Sequence, residues 1–197
     1  MERDYHALPS RTLGEGAGFR RPTQAQPSVD LESPAREVMT DLTRVSPATI
    51  RPQAPVEGAN QFMMARGVRL LLVIDEHESV LGVISATDIL GERIVRVATE
   101  RGLRRGELTV ADIMTPAERV EVIALEDVDG ARVGHIVSTL LHAGRQHALV
   151  VDEEPESGRM MVRGILSLSQ VARQLGKPLL LAEVARTFAE IEEALGR

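Results

Sequence analysis

The chain contains no cysteine and no tryptophan, and aromatic residues make up 2% of its 197 positions. Without thiols it has no disulfides, no thiolate nucleophile and no cysteine-ligated zinc. With one Tyr and three Phe, a core must be assembled from Leu, Ile, Val, Ala and Met. At 43% hydrophobic and 26% charged, the composition suffices for one or two small domains. No uninterrupted apolar stretch approaches a membrane span, and no hydrophobic region follows Met1-Glu2-Arg3-Asp4. A cytoplasmic protein that engages no membrane is expected. The net charge of −6 argues against a nucleic-acid partner. Also missing are a nucleophile with its base and orienter and a glycine-rich phosphate loop. His135 and His142 lie seven residues apart with no acidic residue at ligand spacing, which leaves them as surface or packing residues. The expectation is a protein without metal ligands or obligatory cofactor, and not an enzyme.

What the chain does have is a repeat. Val73-Ile74-Asp75-Glu76, then Gly82-Val83-Ile84-Ser85-Ala86-Thr87-Asp88, returns as Val150-Val151-Asp152-Glu153, then Gly164-Ile165-Leu166-Ser167-Leu168-Ser169-Gln170. Upstream, Val38-Met39-Thr40-Asp41 has a counterpart in Ile113-Met114-Thr115-Pro116. Met39 to Met114, Asp75 to Asp152 and Gly82 to Gly164 are offsets of 75, 77 and 82 residues, so order and length are kept with small insertions. A period this long describes a tandem domain rather than a solenoid. Copies of this size are expected to fold against each other as one module.

Residues 1–33, with Pro9, Pro22 and Pro27 and little periodicity, read as an extended N-terminal arm on which Tyr5, Leu8, Leu13 and Phe19 are available to dock. The first copy and its linker span 34–105, the second copy 106–176. In the first, Ala48-Thr49-Ile50 is a short strand, and Val56 to Arg66 a helix ended by Gly67. Leu70 to Ile74 is a strand buried on both faces, Val80 to Ile84 returns as its partner, and a helix opens at Ser85 and runs to about Arg101. In the second, strand Val120–Ile123, helix Arg132–Leu141, strands Ala148–Val151 and Met161–Leu166, and a helix from Ser167 repeat the order. The class is α/β, with a small sheet in each half. Within 177–197, Leu179 to Leu195 has the period of an amphipathic helix that packs on its own module or on a symmetry mate. Arg93, Arg96, Arg101, Arg104 and Arg105 crowd the connector, either as a solvated helix and turn or as a phosphate- or partner-docking patch.

The chemistry concentrates in Gly82-x-x-Ser85-x-x-Asp88. Gly82 admits a close approach to the backbone, Ser85 sits at a helix start where amides point outward, and Asp88 can accept both hydroxyls of a ribose diol. The same residues also spell a capping box that binds nothing. Ser167-x-x-Gln170 has capping-box form too, but without the charged acceptor.

From about Pro34 to Gly176, these paired motifs resemble a tandem pair of cystathionine beta-synthase (CBS) domains, the Bateman module. The resemblance implies two βαββα domains related by pseudo-twofold symmetry, with two clefts between them and a homodimer as the unit. It also implies a stand-alone regulatory module that binds AMP, ADP, ATP or S-adenosylmethionine in the cleft of the first copy and signals to an unidentified effector protein. A ligand-free scaffold acting by protein contacts is the alternative. On this likeness Asp88 takes the ribose diol and Ser85 the ribose or phosphate. Thr49 and Ile50 lie beside the adenine, Ile84 against its face, and Arg69 meets phosphate. In the second cleft Arg145, His147 and Ser167 are the counterparts, and Gln170 puts binding there in doubt. Homodimerisation is expected through Ile89, Leu90, Ile94 and Val97 on the first copy's helix and Val171, Ala172 and Leu175 on the second's.

Overall fold

The computed structural model of the protein describes residues 29–176. The arm before Val29, with Tyr5, Leu8, Leu13 and Phe19, and the helix expected over 177–197 lie outside the described residues. In chain order the strands are β1 (Met39–Asp41), β2 (Thr49–Ile50), β3 (Leu70–Ile74), β4 (Val80–Ser85), β5 (Thr115–Pro116), β6 (Val122–Ala124), β7 (His147–Glu153) and β8 (Met160–Ser167). The helices are α1 (Val56–Arg66), α2 (Ala86–Leu90), α3 (Glu92–Arg101), α4 (Val110–Ile113), α5 (Leu125–Gly130), α6 (Val133–His142) and α7 (Leu168–Gln174).

Two four-stranded sheets form, in the orders β2-β3-β4-β5 and β6-β7-β8-β1. In each, the first pair is parallel and the other two are antiparallel. The repeat therefore extends to register, because the irregularity between Val73 and Ile74 recurs between Val150 and Val151. The edge strands are exchanged: β1, at the start of the first copy, completes the second sheet beside β8, and β5 completes the first sheet beside β4. Each sheet thus draws a strand from the other side of the division at 105/106.

Glycine at both crossings is a steric requirement. A Cβ on Gly82 would run into the backbone carbonyl of Thr115, and one on Gly164 into the side chain of Met39. The close approach expected at Gly82 is made by the chain's own strand β5. Arg163 on β8 pairs with Asp41 on β1, which with the Thr43 hydroxyl holds that carboxyl well below the usual range.

Three apolar clusters hold the elements. One lies under α1 to α4 (Val56, Met63, Leu71, Val73, Ile84, Ile89, Ile94, Leu108), and a second under α5 to α7 (Val38, Val133, Val137, Val150, Leu166, Val171). The third, with Leu70, Leu72, Ile74 and Leu149, joins the two sheets. As expected, β3 is buried at all five positions, with Leu71 and Val73 facing the helices and Leu70, Leu72 and Ile74 facing the other sheet. No aromatic side chain is fully buried among the described residues. The end of the arm belongs to the second cluster: Val29 is buried there, and the Leu31 carbonyl accepts from the Gly134 amide at 2.9 Å.

Two expectations change. The helix from Ser85 to Arg101 is broken at Gly91, whose backbone is extended, so α2 and α3 are separate. The apolar stripe expected to face a second subunit instead faces inward for its main members: Ile89, Ile94 and Val171 are at most 1% exposed. These residues belong to the apolar clusters under the helices of each half. Leu90 and Val95, at 66% and 64%, remain outside.

Gly82→Ala should cost about 1–3 kcal/mol, because a backbone carbonyl cannot move aside without lifting β5. Gly164→Ala should cost less, since the Met39 thioether can rotate away. Urea unfolding of both variants measures the difference, and equal losses would mean that β5 is not held by this contact.

Candidate functional site

Two clefts open where the sheets meet, and each mixes the two copies. The larger, about 580 Å³, is lined by Thr40, the 42–48 segment, Arg66 to Leu70, His147, Ser167, Gln170 and Arg173. The smaller, about 430 Å³, is lined by Ser85, Thr87, Asp88, Thr115, the 119–121 segment and Gly144 to Leu149. Arg69, expected with Asp88, stands in the Gln170 cleft, whereas Arg145 faces the Asp88 cleft. The reason is the crossing of the sheets, which sets the segment leading into each central strand against the helix start of the other copy. Thr49 and Ile50 line neither cleft; Thr49 pairs with Leu72 and Ile50 packs on the first copy's core. Ile84 is completely buried in that core and offers no face to a base.

The Ser85–Asp88 segment forms the capping box. Asp88 Oδ2 accepts from the Ser85 amide at 2.8 Å and from its hydroxyl at 2.6 Å. Asp88 Oδ1 accepts from Arg93 at 3.0 Å. A carboxylate has roughly four acceptor positions, and these bonds occupy three. Ribose hydroxyls would find room for one bond unless Arg93 moved, and Arg93 is also held by the Thr115 hydroxyl at 3.0 Å and the Met114 carbonyl at 2.8 Å. Arg93 was not among the residues singled out for the site. The signal for it was the repeated Met-Thr pair, whose Thr it grips.

In the second copy the expected capping box does not form. Ser167 caps nothing through its side chain and shares a hydrogen bond with Ser169. Gln170 Oε1 instead accepts from the Thr40 hydroxyl at 3.0 Å, because the exchanged strand β1 brings Thr40 within reach. Thr40 corresponds to Thr115 and Gln170 to Asp88, so the same crossing is bridged directly in one half and through an arginine in the other. With its oxygen taken, Gln170 has its amide N–H groups left as donors for the cleft.

The clefts differ in charge. The Gln170 cleft carries Arg66, Arg69 and Arg173 and no carboxylate. Among the described residues none of the three is in an ion pair. Arg66 lies over the Phe62 ring at 5.5 Å. In the Asp88 cleft, Arg93 pairs with Asp88 and Arg145 with Glu121, each at 3.0 Å. Arg66 and Arg173 were missed in the sequence because both look like ordinary last-turn helix cations. The connector arginines are largely consumed locally: Arg101 pairs with Asp112, Arg104 with Glu107, and Arg105 donates to the Ile89 carbonyl.

Leu70 and His147 occupy equivalent positions, opposite Ser85 and Ser167, and each lines both clefts. Burial, helped by the charge of Arg69, holds the His147 imidazole down to about 4. No group of three His, Cys, Asp or Glu side chains poised to hold a metal exists among the described residues, and no described helix is long and apolar enough to cross a membrane.

Residues 35–95 match the family of the CBS domain. The structure is similar to that of an uncharacterized conserved protein from Pyrococcus horikoshii, with a TM-score of 0.53 at 23% identity over 77% of this chain and 98% of the other. The chain has the fold of a tandem CBS domain pair. The CBS domain structure of NE2398 gives a TM-score of 0.51 at 20% identity, over 72% of this chain and 96% of its own. CBSX2 in complex with AMP gives 0.48 at 22% identity, over 72% and 94%. Among curated proteins none matches this chain.

The depressed His147 sets a pH window. Its folded value lies below the unfolded 6.5, so stability is complete above that value and declines as pH falls toward 4. The unfolded chain takes up a proton there that the folded chain refuses, at a cost on the order of 3 kcal/mol. Asp41, with an unfolded value of 3.8, acts only at lower pH. His147→Leu, which copies Leu70, should flatten denaturant midpoints between pH 7 and about 4.5 relative to the parent. Parallel pH profiles would show that His147 is protonated without penalty.

Proposed function

We propose that this CBS pair is a regulatory module whose Gln170 cleft binds a phosphate-bearing adenosine ligand. The observation that carries the reading is three arginines without ion-pair partners among the described residues, around a cleft that contains no carboxylate. Guanidinium groups favour phosphate by charge-assisted, often paired hydrogen bonds. The Gln170 amide adds uncharged donors for ribose or phosphate oxygens. The choice of cleft reverses what the motif alone implied, because the Asp88 carboxylate is already satisfied by Ser85 and Arg93. The adenosine part of the ligand rests on the likeness to the CBS family. Occupancy is passed on through a homodimer, a reading supported by the exposure of Leu90 and Val95.

Titration calorimetry with ATP, AMP and adenosine tests the ligand. Arg69→Ala and Arg173→Ala should each weaken ATP roughly tenfold to a hundredfold, the scale of one charge-assisted hydrogen bond, and leave adenosine nearly unaffected. Uniform loss would make these arginines packing residues, and no binding by the parent protein would leave the module as a scaffold. Light scattering tests the dimer: the parent should run as a dimer at tens of micromolar and Leu90→Glu with Val95→Glu as a monomer. A monomeric parent overturns that part.

A further inference from the structure

We infer that anion binding in the Gln170 cleft of this CBS pair is coupled to protonation of His147, so that the module takes up ligand and proton together. The inference rests on the reading that a phosphate-bearing ligand enters that cleft. His147 begins β7 at the seam between the sheets, where the symmetric position in β3 is Leu70. A residue placed only to fill this seam could be a second leucine; an imidazole adds a site for charge.

The groups facing His147 decide when it charges. From the Gln170 cleft these are Arg69 just before β3, Arg66 at the end of α1 and Arg173 on α7. From the other cleft they are Asp88 on α2, with Arg119, Glu121 and Arg145, of which Asp88 is paired with Arg93 and Arg145 with Glu121. The surroundings of the ring are therefore cationic on one side and near balance on the other. Burial and Arg69 together disfavour the imidazolium, and no hydrogen bond among the described residues offsets them. A phosphate among the three arginines reverses the sign of the field at the ring. It neutralises the nearest cation and supplies acceptor oxygens at the cleft wall. Whatever raises proton affinity on ligand binding must, by linkage, raise ligand affinity as pH falls. The asymmetry between Leu70 and His147 confines this response to one residue per chain.

The test uses the full chain and ATP as probe. Calorimetry in buffers of different ionisation enthalpy, from pH 8 down to about 5.5, reads protons taken up per ATP bound. The same titration of His147→Leu and His147→Gln subtracts protons taken up by ATP itself. In parallel, the Cε1–H resonance of His147 in the parent protein, followed by NMR against pH with and without ATP, reports the ring directly. The inference expects uptake in the parent that grows toward low pH, is absent from both variants, and is matched by an upward move of the His147 midpoint with ATP. ATP binding that is weakened by Arg69→Ala and Arg173→Ala, but with equal proton uptake in the parent and both His147 variants and an unmoved His147 midpoint, overturns the coupling and leaves the binding reading standing. ATP binding indifferent to both arginine substitutions removes that reading, and the coupling with it.

Discussion

Two glycines, Gly82 and Gly164, allow a strand from one repeat to lie against the sheet of the other, and the architecture depends on that contact. With a side chain at either position the edge strand would be held off, most severely at Gly82, where the obstacle is the Thr115 carbonyl. Because β1 and β5 are seated, Thr40 meets Gln170 in the first turn of α7 and Thr115 meets Arg93 at the start of α3. Because the sheets cross, Arg69 and His147 come to line clefts whose other walls belong to the opposite copy. The apolar seam of Leu70, Leu72, Ile74 and Leu149 then joins the two sheets. The two halves of the repeat, each with its own buried cluster, are thereby joined.

Near-symmetry of the backbone makes the differences between the clefts informative. Equivalent positions carry Asp88 and Gln170, or Leu70 and His147, and each substitution changes charge or polarity while preserving the strand register. In the Asp88 cleft both carboxylates, Asp88 and Glu121, are already paired with arginines. The Gln170 cleft leaves its cations to be satisfied from outside. Duplication thus produces two cavities of similar shape with different electrostatic demands.

The repeat, the α/β class and the doubly buried strand Leu70–Ile74 were legible in the sequence, because they follow from local periodicity and from motifs that occur twice. The family likeness followed from the same residues. Cleft membership was not legible, since it depends on which edge strand pairs with which sheet, and the turn after β1 carries no local sign of its distant partner. Ser85 and Asp88 were recognisable as a pair, but the third member, Arg93, sits on the next helix beyond a break at Gly91 that periodicity alone reads as continuous. The stripe of Ile89, Ile94 and Val171 was read as an interface because amphipathicity identifies an apolar face and not what covers it. The cores of the two halves take up these three side chains.

The exchange of edge strands also bears on how the chain is made. β1 contains some of the first described residues to leave the ribosome, yet its partner, Leu166 opposite Met39, is among the last. Synthesis proceeds at about 5–20 residues per second, so the Met39 edge waits roughly 6–25 seconds for its partner, and the second sheet cannot close until β8 has emerged. The first sheet can close earlier, as soon as Pro116 has emerged, since all four of its strands lie between Thr49 and that residue. Folding during synthesis would then run in two stages of unequal sequence separation, with long-range closure of the second sheet as the slow one. Until then the 39–41 segment is an unpaired edge, and its brevity, three residues ending in Asp41, limits what else it can pair with.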